Sequence, residues 1–514
     1  MANSHQSDAT KLAKGGNAPI STLREEKPTG EQTASGNDFY KPLLGGLAWT
    51  AAGRWSAQIV SWVSTIIVIR LLSPSDFGIL GMATVYLGLI SMLSEFGIGS
   101  TVVYVRDLSS DQLAQINTVS VLFGIVAFGV SCAVAPGLAW FFRTPQLVWV
   151  VVVMGTGFAI SAFQIVPGGL LRKEKAFKLL AYVDGCKALT QSLSTVLFAF
   201  LGLRYWSLVA GGLLASLVAV LLTLLWRRES FAWPRLESIK RALVFSRDVI
   251  ISRISWYAYS NADFVVAGRV LGRVPLGAYT VAWSLSSTAI EKVTDLISHV
   301  TPSFFSEAQT DPPTLRRYLR NLTQGISLFT FPATLGLALV AREFVPLVLG
   351  TKWMAAIVPL QLLAIYGFMR SITTVLGPIL TAIDVRWASR YGLLFVVVFP
   401  TAFYIGSHWG TVGIAAGWVC FYPLMYIPIY RHTFQRIGMN LSEYMGALWP
   451  ALSGSLVMTV VVFVLKLALP TGISPVLQLG GEIVSGGASY VLTLATLHRE
   501  RFMFLIRTLR SLSR

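Results

Sequence analysis

Apolar stretches with short polar connections fill most of the chain, and each is long enough to cross a bilayer core of about 30 Å as an α-helix. The pattern predicts fourteen transmembrane helices. Their expected bounds are near 45–69, 79–99, 116–142, 147–170, 179–202, 206–226, 245–268, 276–300, 319–341, 355–383, 389–406, 410–430, 444–468 and 475–496. We therefore expect an all-α polytopic membrane protein.

The composition supports a membrane protein rather than a string of soluble domains. Hydrophobic residues make up 54% of the chain and charged residues 13%, and the mean hydropathy is +0.64. A soluble globular protein carries about 25% charged residues. The polar residues 1–42 predict a disordered cytoplasmic tail, and residues 498–514 predict a basic amphipathic tail on the inner leaflet.

The net charge of +17 is explained by topology and does not indicate a nucleic-acid partner. Of the 41 Lys and Arg residues, 28 fall in the tails and in the connections that lie inside when the N-terminus is inside. Eight fall in outside connections and five within spans. Cytoplasmic loops of membrane proteins collect Lys and Arg, so both termini are expected in the cytoplasm.

Two turns in the chain are similar to one another. The sequence RLLSPSDFGIL at Arg70–Leu80 matches RVLGRVPLGAY at Arg269–Tyr279, and a gapless alignment at an offset of 199 positions gives seven identities over residues 54–83. One interpretation is chance, from shared use of Gly and Arg in membrane turns. The other is an internal repeat, in which spans 1–6 and 7–12 are two copies of one bundle.

The repeat predicts an N-lobe at 43–228, a cytoplasmic linker at 229–244, and a C-lobe at 245–432. Spans 13 and 14 occupy 433–497, before the tail at 498–514. Because six spans is an even number, both copies enter the membrane from the same side. Parallel repeats of this kind place the substrate between them, near the midplane.

Charged residues inside the spans are the candidate site. Arg54 and Arg253 occupy matching places in spans 1 and 7, and Gln58 and Tyr257 each follow four residues later on the same helical face. A central arginine costs about 2.5–3.5 kcal/mol to insert, so such residues face a cavity or the bundle interior. The candidates for substrate binding are Arg54, Gln58, Arg253, Tyr257, Asn261 and Arg370.

Acidic residues lie on the neighbouring spans. On one interpretation, Arg54–Glu95 and Arg253–Asp295 are ion pairs that only set helix packing. On the other, the arginines form a cationic cavity for an anionic head group, and the carboxylates balance the charge or exchange protons. The candidates for ion coupling or charge balance are Glu95, Asp263, Glu291 and Asp295.

Nothing in the sequence predicts a cofactor, a metal site or an enzyme. The three cysteines lie singly inside apolar spans, and there is no GxxxxGK[ST], HExxH or GxSxG motif. A membrane glycosyltransferase or polymerase remains an alternative. It is disfavoured because no expected outside loop exceeds about fifteen residues.

The segments RLLSPSDFGILGMA and SEFGIG resemble the N-terminal signature of bacterial Wzx-type oligosaccharide flippases. These belong to the multidrug/oligosaccharidyl-lipid/polysaccharide (MOP) exporter superfamily, which also holds the MATE exporters and the lipid II flippase. The resemblance implies two parallel six-helix lobes around a central cavity, plus two C-terminal helices, in the bacterial inner membrane. A MATE-like small-molecule antiporter is the alternative, but span 1 holds Arg54 where proton-coupled exporters often hold an Asp.

The resemblance also implies a function. Alternating access between the lobes would carry polyprenyl-diphosphate-linked oligosaccharide repeat units from the cytoplasmic to the periplasmic leaflet, for exopolysaccharide, capsule or O-antigen synthesis. The expected partners are this lipid-linked oligosaccharide and membrane lipids, with a polysaccharide polymerase and the export machinery as further candidates. Arginines suit such a cargo because they bind phosphate oxygens in bidentate fashion.

Overall fold

The computed structural model describes residues 58–94, 102, 108–235, 254–298, 311–470 and 472–499. Within these ranges the long elements are fourteen helices, one for each predicted span. They are α1 (Gln58–Leu71), α2 (Pro74–Ser94), α3 (Ser110–Phe141), α4 (Leu147–Lys173), α5 (Phe177–Phe200), α6 (Tyr205–Trp226), α7 (residues 254–271), α8 (Arg273–Ser298), α9 (Pro312–Phe344), α10 (Ile357–Thr373), α11 (Leu376–Gly406), α12 (Gly410–Ile437), α13 (Leu441–Ala468) and α14 (Pro475–Leu497). The predicted all-helical polytopic class is confirmed.

Eight helical stretches in the described ranges are long and apolar enough to cross a membrane by length and composition. The stretches formed by α5 and α8 are not among them. Each carries charged residues within its length, Asp184 and Lys187 in α5 and Glu291 in α8. Polar residues in a membrane helix face the bundle interior or a cavity. A helix that contributes charged residues to a site is therefore expected to have a lower mean hydropathy.

Local sequence signals set the helix ends. Ser109 and Gln112 form a capping box at the start of α3, with reciprocal hydrogen bonds of 3.0 and 3.2 Å. The Asp311 side chain accepts from the backbone N–H of Thr314 at the start of α9, which has prolines in its first turn. α12 ends at Gly438, whose φ of 64° lies in the left-handed region.

Two helices depart from regular geometry. α7 is interrupted at Asn261 and ends in a π-helical turn, Ala267–Leu271. α11 breaks at Asp384, which has φ −153° and ψ 75°. The break at Asp384 falls at the expected connection between spans 10 and 11.

α2 and α8, the equivalent helices of the repeat, pack against each other at their first turns. A Cβ on Gly78 would lie 1.7 Å from the carbonyl oxygen of Arg273, and a Cβ on Gly277 would lie 1.7 Å from that of Pro74. Only glycine permits this approach of the two backbones. We call the contact of Pro74, Gly78, Arg273 and Gly277 the glycine seam.

α13 and α14 are joined to α9 by charged side chains. The Lys466 ammonium on α13 lies 2.8 Å from Glu343 Oε2 on α9 and 3.4 Å from Glu482 Oε2 on α14. It also donates to the carbonyl of Leu339 at 2.7 Å. The Glu482 side chain is fully buried, so the pairing with Lys466 offsets the cost of a charge away from water.

Candidate functional site

Arg370 is the one arginine candidate that lies in the described part of the chain, and its surroundings define the site. It is half-buried in α10 and interacts electrostatically with Tyr366, Tyr422 and Tyr426, and with Glu291 of α8. We call Arg370, Glu291, Tyr366, Tyr422 and Tyr426 the Arg370 cluster. It brings together α8, α10 and α12 from the second predicted repeat.

Aromatic packing holds the tyrosines of the cluster in place. The rings of Tyr422 and Tyr426 stack with centroids 4.3 Å apart, and Tyr366 stacks on Trp418 at 4.7 Å. The Tyr422 hydroxyl forms a 2.5 Å hydrogen bond with the hydroxyl of Thr373. Aromatic contacts of this kind add about 0.5–1.5 kcal/mol each beyond the area they bury, so they stabilise the positions of the tyrosines around Arg370.

Chemically, the cluster suits an oxyanion. A guanidinium offers five N–H donors in a planar fork that matches the oxygens of phosphate. A neighbouring tyrosine hydroxyl adds a further donor. Glu291 is exposed, and its carboxylate lies within electrostatic range of Arg370.

Asp263 lies at the core of the second repeat rather than on an open surface. Its carboxylate has no solvent exposure. It accepts hydrogen bonds from the Tyr279 hydroxyl at 2.7 Å, from Trp418 Nε1 at 2.9 Å, and from the backbone N–H of Phe264 at 2.9 Å. Three donors satisfy the charge and tie α7 to α8 and α12, so the geometry favours a role in packing for Asp263.

Tyr257 connects the two predicted repeats. Its hydroxyl, on α7, donates to the carbonyl of Val85 on α2 at 2.7 Å, and it lies against Gly88. Asn261 Nδ2 donates a 3.0 Å hydrogen bond to the carbonyl oxygen of Tyr257. This bond satisfies a backbone acceptor at the break in α7. Gln58 is half-buried at the first described turn of α1.

The remaining candidates cannot be located. Arg54, Arg253 and Glu95 lie outside the described residues, and so does the side chain of Asp295, although its backbone belongs to α8. The tails at 1–42 and 500–514 are also outside them. Of the predicted set, the structure therefore brings together Arg370 and Glu291.

Two arginines of the repeated turn form inter-repeat contacts that the sequence did not predict. Arg70, at the end of α1, donates to the carbonyls of Leu347 and Val348, the latter at 2.6 Å, in the π-helical turn that follows α9. Arg269, at the equivalent place in α7, donates to the carbonyl of Phe141 at the end of α3 at 2.7 Å.

These contacts match the predicted repeat, in which α3 and α9 are equivalent helices. Each arginine binds the C-terminal carbonyls of a helix from the other copy, where a positive charge is favourable. We call Arg70 and Arg269 the arginine caps. Together with the glycine seam they join helices of the two predicted copies at the end of the bundle where α2 and α8 begin.

The sequence predicted Arg370 as a site residue, but it did not predict the tyrosines around it. The signal was present, since Tyr366 precedes Arg370 by four residues and Tyr422 precedes Tyr426 by four, which places each pair on one helical face. Membrane helices hold many aromatic residues, so this spacing alone does not separate a site from ordinary packing.

The chain is similar in sequence to known membrane and polysaccharide biosynthesis proteins. A family model described as a polysaccharide biosynthesis protein matches residues 67–358. An uncharacterized membrane protein in the cps region of Klebsiella pneumoniae is 26% identical, over 87% of this chain and 93% of its own length. The lipopolysaccharide biosynthesis protein WzxC of Escherichia coli K12 is 27% identical, over 83% of this chain and 88% of its own length.

A solved structure shares the fold. The lipid II flippase MurJ, in an inward closed conformation, aligns with a TM-score of 0.69 over 88% of this chain and 99% of its own chain. The aligned sequences are 11% identical, so the match shows the fold alone. It confirms the expected all-helical polytopic fold.

Proposed function

Since the chain belongs to the polysaccharide biosynthesis protein family, a family of transporters rather than enzymes, we propose that it is a flippase for lipid-linked oligosaccharide. The cargo is a polyprenyl-diphosphate-linked repeat unit, which moves from the cytoplasmic to the periplasmic leaflet of the bacterial inner membrane. The product serves exopolysaccharide, capsule or O-antigen synthesis. A polysaccharide polymerase and the export machinery are the partners expected to receive it.

The observation that supports this cargo is the Arg370 cluster. An arginine within a membrane-spanning helix is costly unless it has a function or a partner. Among the described residues, Tyr366, Tyr422 and Tyr426 and the exposed carboxylate of Glu291 act on it, a set that leaves the guanidinium able to bind an anion. A diphosphate is such an anion, and tyrosine rings beside it offer flat surfaces for sugars.

The transport cycle is alternating access between two lobes, the N-lobe 43–228 and the C-lobe 245–432. The positive-inside distribution assigns the end with the glycine seam and the arginine caps to the periplasm, with both termini in the cytoplasm. The arrangement is then closed to the periplasm. Opening that end requires the helix 2–helix 8 contact to separate and both caps to release their carbonyls.

The proposed cargo site also includes Arg54 and Arg253. They occupy equivalent places in spans 1 and 7, and their side chains would add positive charge to the cavity between the lobes. Arg54→Ala or Arg253→Ala should abolish polymer export, and Arg→Lys should be partly tolerated. Normal export by both alanine variants would remove them from the site.

The direct test is leaflet-specific labelling in vesicles. Purified protein is reconstituted with a polyprenyl-diphosphate-linked oligosaccharide that initially lies in one leaflet, and a membrane-impermeant lectin reports its arrival in the other. We expect transfer with the wild type and loss of transfer with Arg370→Ala. Arg390→Ala, an exposed arginine on the next helix, is the matched control. Absence of transfer by the folded wild type, with transport of cationic drugs instead, would indicate an antiporter.

A further inference from the structure

A cavity lies at the end of the bundle opposite the glycine seam. Its volume is about 700 Å³, and it is open to the surroundings. It lies where α9 begins, α12 ends and α13 begins. We call it the arginine cavity, and its lining residues are Pro312, Pro313, Arg316, Arg317, Arg320, Gln435, Arg436, Ile437, Gly438 and Glu443.

The lining is strongly basic, with four guanidinium groups and one carboxylate. Arg316 binds Glu443 through Nε at 2.6 Å and donates to the carbonyl of Gly438 at 3.0 Å. Arg320 lies 3.5 Å from the same carboxylate. One carboxylate cannot neutralise both arginines, so part of the positive charge is left for a ligand.

The other two arginines, Arg436 and Arg317, interact with carboxylates that do not line the cavity. Arg436 lies 3.2 Å from Asp384 of α11, a carboxylate that also faces His432 at 3.4 Å. Arg317 is exposed and lies over the ring of Tyr318 at 5.9 Å, with Asp311 within electrostatic range. Even with Asp311 and Asp384 counted, the four arginines exceed the three carboxylates by one charge.

An exposed apolar face leads away from the cavity along α12. Gln435 lines the cavity, and Arg431, Ile427 and Leu424 follow it at intervals of four, four and three residues, which keeps them on one side of the helix. Ile427 is 59% exposed and Leu424 is 60% exposed. A basic cavity continued by an exposed apolar face fits a molecule with an anionic head and a hydrocarbon tail.

We propose that the arginine cavity binds the phosphate of an anionic lipid in the cytoplasmic leaflet, with the hydrocarbon chain along the Ile427 and Leu424 face of α12. The positive-inside distribution assigns this end of the bundle to the cytoplasm, where the head groups of that leaflet lie. Guanidinium groups bind phosphate in bidentate fashion, so Arg317 and Arg320 are the expected ligands. The site is separate from the Arg370 cluster and does not depend on the nature of the transported cargo.

Binding is measured by native mass spectrometry of the detergent-solubilised full chain. The probes are phosphatidylglycerol, undecaprenyl diphosphate, phosphatidylcholine and inorganic pyrophosphate. We expect the two anionic lipids to bind, and the Arg317→Gln/Arg320→Gln variant to lose roughly tenfold in affinity for them. Leu424→Ser/Ile427→Ser should weaken lipid binding as well. Preference for one lipid distinguishes a membrane phospholipid from the carrier of the proposed cargo, and either result supports the site.

The matched control is Arg172→Gln/Lys173→Gln, an exposed basic pair at the end of α4 on the same side of the membrane. Equal losses in the control and the cavity variant would overturn the proposal, as would unchanged lipid binding in the cavity variant. Binding of pyrophosphate without lipid binding would overturn it too. If the double variant does not fold, Arg317→Gln alone keeps the Arg320–Glu443 pair as well and is measured in the same way.

Discussion

Gly78 and Gly277, 199 positions apart in the chain, lie against each other where α2 meets α8. A Cβ on Gly277 would come within 2.9 Å of the backbone nitrogen of Gly78. The repeated turn therefore meets its own copy, and the two glycines are equivalent residues of that turn. The contact explains why both copies keep glycine at this position, since a side chain in either would separate the helices.

The first prediction concerns this seam. Gly78→Ala or Gly277→Ala places a methyl group on a backbone carbonyl of the other helix, which cannot yield as a flexible side chain would. We expect a loss of about 1–3 kcal/mol in the stability of the closed arrangement and a lower unfolding temperature. Gly129→Ala and Gly212→Ala, at helical glycines with open space, are the controls. Equal unfolding temperatures for seam and control variants would contradict the close contact.

The arginine caps give a second prediction. Arg70→Gln/Arg269→Gln removes the charged donors that join each half to the C-terminal carbonyls of the other. We expect the closed end to open more often, by roughly tenfold in population. Gln146 and Met354 are both exposed at that end. Spin labels at Gln146→Cys and Met354→Cys should show a new, longer distance in double electron–electron resonance. An unchanged distance distribution would show that the caps do not hold the end closed.

A third prediction separates charge from geometry at Arg370. Arg370→Ala should reduce transfer of a diphosphate-linked cargo by tenfold or more, since charge-assisted hydrogen bonds are lost. Arg370→Lys keeps the charge but not the planar fork, so it should retain part of the activity. Initial rates in reconstituted vesicles measure both. Full activity in the alanine variant, at equal protein levels, would place the binding site elsewhere.

Asp263 supports a fourth prediction, about stability. Asp263→Asn has one oxygen to accept bonds where the carboxylate has two, and its amide N–H groups face donors, so about 1–3 kcal/mol of folding free energy should be lost. Tyr279→Phe removes a single donor and should cost less. Thermal unfolding of both variants in detergent measures the difference. A normal unfolding temperature together with lost transport would instead assign Asp263 to ion coupling.

The fifth prediction is a pH dependence at the break in α11, between the expected spans 10 and 11. The backbone N–H of Trp387, together with Arg436 and His432, holds the pKa of the Asp384 carboxyl below its ordinary value. A lowered pKa in the folded state stabilises the protein above the unfolded pKa of about 4, and this contribution is lost as the pH falls through the folded value. The difference in unfolding temperature between wild type and Asp384→Asn should therefore be largest near neutral pH and shrink toward pH 3.

A constant difference across that range would show that Asp384 acts without its charge. The wild type and Asp384→Asn share every other titrating group. The difference between their unfolding temperatures therefore reports on Asp384 and needs no further control. Arg436→Gln should reduce the difference at neutral pH, since it removes a cation 3.2 Å from the carboxylate.

The fold class and the number of helices follow from the amino-acid sequence alone. Fourteen apolar stretches became fourteen helices because a chain in lipid must satisfy its backbone hydrogen bonds within each segment. The repeated turn was also visible in the sequence, since glycine and arginine at fixed spacing are local features. So was Arg370, which stands out because a charged residue in an apolar span is rare.

Which helices meet and which charges are satisfied depends on the tertiary packing. The pairing of Gly78 with Gly277, the binding of Arg70 to the end of α9, and the approach of Tyr422 and Tyr426 to Arg370 all join residues more than forty positions apart. The same holds for Asp263, an ion-coupling candidate from the sequence that is enclosed by three hydrogen-bond donors. Periodicity along one helix gives the face on which a residue lies, but the neighbour of that face depends on how all the helices pack.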